Sequence, residues 1–184
     1  MRTILNFDIQ DFNSFAENLI SYIGRFNYGI LLRGTDLLNV SGTDIGSRYD
    51  LLVGLGSISV CSPNDKRFAN LSEYLKLNDW VFGYFSYDLK NELEDLKSNN
   101  FDALEFPELF FFQPEIVFTV KSNVLSVYYF ESVTSKDRID ALLQELMDCS
   151  NYTRTIPRNI IFKSCYTKQE YLETIHQVKK HIAR

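Results

Sequence analysis

A chain of 184 residues with net charge −5 and 45% hydrophobic residues suits one domain, or a large piece of a bigger protein. At that size roughly 70% of the unfolded surface can be buried, so a core forms without disulfides or metals. The acidic balance argues against a nucleic-acid footprint or an anionic membrane surface, and no apolar run approaches the ~20 residues of a membrane span.

Cys61, Cys149 and Cys165 are odd in number and form no C-x-x-C pair, so neither a disulfide framework nor a zinc site follows. The N-terminus lacks the apolar centre of a signal peptide, and the expected location is a reducing cytoplasm. The fifteen Phe and eleven Tyr favour strands and thick cores.

In chain order, Phe12, Phe15, Ala16, Leu19, Ile20 and Ile23 recur at helical spacing, and Gly24 closes that helix. Tyr28 to Leu32 is expected as a buried strand. A polar loop from Gly34 to Ser47 follows. Tyr49 to Val60 forms one long strand or two, with Gly54 and Gly56 marking a bulge or a close backbone approach.

Asn64 to Leu77 is helical or irregular. Trp80 to Tyr87 is a strand, and Asp88 caps a helix running to about Lys97. Asn99 to Phe106 is loop. Leu109 to Val120 and Val124 to Phe130 make a hairpin turning at Lys121-Ser122-Asn123.

Ser135 caps a helix whose inner face is Ile139, Leu142, Leu143 and Leu146, and Asn159 to Lys163 is a further strand. Thr167 and Glu170 form a capping box before the stripe Tyr171, Ile175, Val178 and Ile182. No stop signal follows that stripe, so the chain is expected to be a fragment. Strands joined by hairpin-like links and interrupted by helices give an α+β fold, with largely antiparallel sheets and flanking helices.

Residue chemistry alone announces no catalytic centre. Gly54-x-Gly56 is a poor phosphate loop, and His176 and His181, five apart, point roughly 140° from one another on a helix. One group suits a ligand: in Ser47-Arg48-Tyr49-Asp50 an Arg can grip a carboxylate, a Ser can donate to it and a Tyr can wall it. The same residues suit a structural role better, with Arg48 paired to a local carboxylate and Tyr49 in the core.

Four segments carry a family resemblance. They are Ile30-Leu31-Leu32-Arg33-Gly34, Ser47-Arg48-Tyr49-Asp50-Leu51-Leu52-Val53, Gly83-Tyr84-Phe85-Ser86-Tyr87-Asp88-Leu89, and Tyr166-Thr167-Lys168-Gln169-Glu170-Tyr171 with Val178-Lys179-Lys180-His181-Ile182. Together they resemble component I of para-aminobenzoate (aminodeoxychorismate) synthase, within the anthranilate synthase component I-like superfamily.

The resemblance implies a cytoplasmic transferase of folate biosynthesis that adds ammonia to chorismate, giving 4-amino-4-deoxychorismate. It implies a component I N-terminal domain at residues 1–165 and the start of a truncated chorismate-binding domain at 166–184. Catalytic groups and magnesium would belong to the missing C-terminal domain, leaving this chain inactive alone and without a cofactor of its own.

Its expected partners are that domain and a glutamine amidotransferase subunit, component II. A homodimer of the fragment could form through uncovered faces, while nucleic acid and membrane are not expected. The resemblance also implies a vestigial tryptophan seat at Arg33, Gly34, Ser47, Arg48 and Tyr49. Relatives that use this seat carry a serine where Gly34 stands, so weak or no tryptophan binding is expected. Anthranilate or isochorismate synthase, or a stand-alone amino-acid-binding module, are the competing assignments.

Overall fold

The structure is a computed structural model, and it describes residues 1–34, 48–94, 96, 102–148 and 163–183. The chain divides into two compact units, Met1–Tyr152 and Thr153–Arg184.

The first unit is α+β. Its strands are β1 (Thr3–Asp8), β2 (Gly29–Arg33), β3 (Leu51–Leu55), β4 (Ser59–Cys61), β5 (Phe82–Phe85), β6 (Leu109–Gln113), β7 (Ile116–Lys121) and β8 (Val124–Tyr129). Its helices are α1 (Phe12–Ile23), α2 (Arg67–Tyr74) and α3 (Lys136–Met147). Among the described residues the strands form a five-stranded sheet in the order β1-β8-β7-β3-β2 and a three-stranded sheet in the order β4-β6-β5. Every pairing is antiparallel.

The period of two in the strands sorts side chains onto two faces. Leu51, Val53 and Leu55 of β3, Ile116, Phe118 and Val120 of β7, and Leu125 and Val127 of β8 meet one helical layer. That layer consists of Phe15 and Leu19 from α1 with Ile139, Leu142, Leu143 and Leu146 from α3. Both helices begin at a polar cap: Ser135, as expected, accepts from the Arg138 N–H at 3.3 Å, and Asp11 accepts from the Ser14 N–H at 3.1 Å.

The opposite face of the large sheet receives the small one. Phe82 and Phe112 pack against Val117, with Ile30, Leu52 and Tyr128 beside them. Gly54 permits this approach, because a Cβ there would lie 2.9 Å from Phe82 Cδ2. The far side of the small sheet is closed by Leu71 of α2 and by Leu89, which pack on Cys61 and Leu109. Cys61 is buried, and desolvation raises its thiol pKa.

Three expectations need correction. Tyr28 to Leu32 is not a buried strand: β2 ends the five-stranded order, and its residues are half-buried or exposed. Leu109 to Val120 is not one strand, since Pro114 and Glu115 break it into β6 and β7, which serve different sheets. The Tyr49 to Val60 segment takes the second of its two expected forms, two strands, parted at Gly56 with φ +67°. Asp88 does not cap a helix to Lys97. A 3-10 helix spans Tyr87–Glu92, Ser86 stands at its N-cap, and Asp88 in the first turn pairs with Lys90 at 3.0 Å.

The hairpin turns where expected, with Ser122 and Asn123 both at positive φ. The expected loop at 35–47 lies outside the described residues, as does 159–162 of the expected strand; Lys163 is not in a strand.

In the second unit the described residues form α4 (Lys168–Ile182). Its capping box is complete: Thr167 accepts from the Glu170 N–H, and the Glu170 carboxylate accepts from the Thr167 N–H at 2.8 Å. Among the described residues no helix is long and apolar enough to cross a membrane.

Candidate functional site

The segment entering β3 is fixed by backbone and side chain together. Gly34 N–H, just past β2, donates to the Asp50 carbonyl at 2.9 Å, and Asp50 N–H donates to the Val120 carbonyl at 2.8 Å. The Asp50 carboxylate reaches the β7–β8 turn, where it accepts from Ser122 N–H at 2.7 Å and pairs with Lys121 Nζ at 3.3 Å. Asp50 thereby ties three strand ends together and leaves the preceding residues at the mouth of the sheet.

Those residues are Arg48 and Tyr49. The exposed Arg48 guanidinium lies 5.5 Å over the Tyr49 ring. Tyr49 in turn meets Trp80 at 6.2 Å between ring centroids. Trp80 stacks on Phe82 at 6.2 Å with an interplanar angle of 11° and meets Tyr128 at 5.9 Å. A cationic rim therefore adjoins a half-buried aromatic cluster at the junction of the two sheets.

The expected seat residues do not all converge. Arg33 donates to Asn13 Oδ1 at 2.9 Å and lies 5.4 Å over Phe12, so it is engaged with the start of α1. Gly34 contributes its backbone to strand pairing. Arg48 and Tyr49 come together, and Ser47 lies outside the described residues.

Sequence reasoning missed Trp80 as a neighbour of Tyr49, although its being the chain's sole tryptophan singles it out. It also missed Arg2 and Asp79, which support Trp80 from behind. Asp79 accepts from Arg2 Nε at 2.8 Å, from Arg2 Nη2 at 2.9 Å and from Gln113 Nε2 at 2.7 Å. Burial raises the Asp79 carboxyl, but hydrogen bonds from Arg2, Gln113 and the Trp80 N–H outweigh it and hold the group below the usual aspartate value.

Among the described residues no three His, Cys, Asp or Glu side chains gather closely enough to hold a metal ion. What the arrangement can do is hold a flat apolar group against aromatic walls and a carboxylate at the Arg48 guanidinium.

No curated protein matches the chain. The family described as chorismate binding enzyme matches residues 57–184, which reach from the turn after β3 through α4. That span covers more than half of the sequence and includes the Gly83-Tyr84-Phe85-Ser86-Tyr87-Asp88-Leu89 segment, which runs from β5 into the 3-10 helix. The chain belongs to the family of chorismate-binding enzymes.

Proposed function

We propose that this protein acts as component I of an aminodeoxychorismate synthase, adding ammonia to chorismate to give 4-amino-4-deoxychorismate for folate synthesis in the cytoplasm. In this reading the described residues are a supporting, non-catalytic portion. Chorismate, magnesium and the catalytic groups are handled elsewhere in the protein, and a glutamine amidotransferase subunit supplies the ammonia.

Family membership supports chorismate as the substrate class. The choice of branch rests on the Ser47-Arg48-Tyr49-Asp50 sequence, which resembles the Ser-Arg-aromatic-Asp signature of the aminobenzoate branch; in the structure Asp50 locks three strand ends while Arg48 and Tyr49 stand at the rim of the aromatic cluster. The antiparallel double sheet, clamped between helices, supports a scaffold role for this portion.

The test is growth complementation. A gene encoding this chain together with the proposed catalytic portion is expected to restore growth without 4-aminobenzoate to a bacterium lacking component I of aminodeoxychorismate synthase. It is expected not to restore growth without tryptophan to an anthranilate synthase mutant. The reverse pattern would assign the other branch. The purified 184-residue chain, given chorismate, magnesium and ammonia, is expected to form no product. Turnover above background would overturn the non-catalytic assignment.

A further inference from the structure

Trp80 is held from several sides. Its backbone N–H donates to the Asp79 carboxylate, which Arg2 grips, and β5 begins two residues later. Its indole lies nearly parallel to Phe82, with Tyr49 and Tyr128 completing the walls. Leu52 and Ile30 belong to the same apolar cluster. Arg48 stands over the outer wall, Tyr49.

An indole between flat apolar walls, with a guanidinium at the rim, is the complement of a free aromatic amino acid. Here the chain supplies the indole itself. We infer that Trp80 is an internal ligand: its side chain fills the pocket walled by Tyr49, Phe82 and Tyr128, closes it to free tryptophan, and leaves a latent indole site when removed.

This rests on the reading of Arg48 and Tyr49 as an amino-acid seat. Two further observations agree. Arg33 is engaged by Asn13 and Phe12, and Gly34 offers no hydroxyl, so neither adds a side-chain grip for a free ligand. A tethered side chain on a fixed backbone has no translational freedom to lose, whereas free tryptophan must lose it to compete.

Replacing Trp80 by Ala would leave an apolar hole of the kind that binds small aromatic molecules. Calorimetry on the unaltered chain is expected to show no binding of L-tryptophan or indole at millimolar concentration. The Trp80→Ala variant is expected to melt at a lower temperature, to bind one indole per chain, and to regain several degrees when indole is added. L-Tryptophan is expected to do the same, and adding Arg48→Ala should abolish that response while sparing the response to indole.

Micromolar binding of tryptophan by the unaltered chain would overturn the inference, as would a folded variant indifferent to indole. Should Trp80→Ala not fold, Trp80→Leu repeats the indole measurement in a smaller hole, and the calorimetry on the unaltered chain stands independently. The growth test above is separate: a protein that relieves the 4-aminobenzoate requirement yet binds tryptophan tightly would keep the proposed function and sink the internal ligand.

Discussion

Arg2 and Asp79, 77 positions apart, form a two-pronged ion pair at the corner where the chain passes from one sheet to the other. The remaining donors of Arg2 reach the Pro114 carbonyl at 2.6 Å and the Glu115 carbonyl at 2.9 Å. These carbonyls lie in the break between β6 and β7. Arg2 thus supplies donors to backbone acceptors at a point where ladder pairing is interrupted. Gln113 extends the network to Ser59 and Tyr74, so both sheets and α2 are joined through it.

Removing one member of this pair is expected to cost far more than removing both. The side chains are 5% and 13% exposed. Arg2→Ala or Asp79→Ala should destabilise by about 3–5 kcal/mol, because each leaves an uncompensated buried charge. The double variant Arg2→Ala with Asp79→Ala should cost less than either single change. Urea unfolding of the four proteins measures this coupling, and additive losses would show that the pair is not a unit.

The same pair predicts a dependence on pH. The folded Asp79 carboxyl is lowered from 3.8, so in acid the unfolded chain takes up this proton more readily than the folded one. Its contribution is complete above the ordinary aspartate range and disappears as pH falls through the lowered folded value. The difference in urea midpoint between the unaltered protein and Asp79→Asn should therefore be constant near neutrality and shrink in acid. A difference that grew in acid would contradict the assignment.

Three glycines should respond differently to alanine. A Cβ on Gly83 would stand 2.0 Å from the Phe110 carbonyl oxygen and 2.6 Å from Phe111 Cα, both backbone atoms of the paired strand. Gly83→Ala should cost about 3 kcal/mol or more, whereas Gly54→Ala, which meets only the Phe82 ring, should cost about 1–3 kcal/mol. Gly24 has φ −64° and nothing within 4 Å of a built Cβ, so Gly24→Ala should add about 0.4–1 kcal/mol. Thermal melts of the three variants check this order.

Helix α3 offers a contrast between core and cap. Ile139 and Leu146 are fully buried against the five-stranded sheet, and truncating either to Ala should cost about 2–5 kcal/mol. Ser135→Ala removes only the cap to the Arg138 N–H and should cost about 1 kcal/mol. Equal losses at the cap and in the core would mean that α3 packs more loosely than its burial indicates.

The helices were legible because their signals are local. Ser135 and Thr167 each sit where the side chain can reach an N–H three residues ahead, and the apolar positions of α1 and α3 repeat at the helical period; the cap at Asp11 is of the same local kind and was missed. The turn at Ser122-Asn123 was equally local. In the candidate site, the pairing of Arg48 with Tyr49 follows from adjacency, but the diversion of Arg33 to Asn13 depends on how α1 crosses the sheet.

By itself, then, the order of residues determined the α+β class, the helix starts, the hairpin turn and the resemblance that family membership supports. Each depends on neighbours within a few positions or on a short signature. Only the tertiary structure decided that one apolar run serves two sheets, that β2 is an edge strand, that Arg2 meets Asp79, and that Trp80 lies against Tyr49. Those outcomes come from closing long loops, where the favoured partner is whichever group best satisfies a buried charge or fills an apolar gap. No periodicity along the chain encodes that choice.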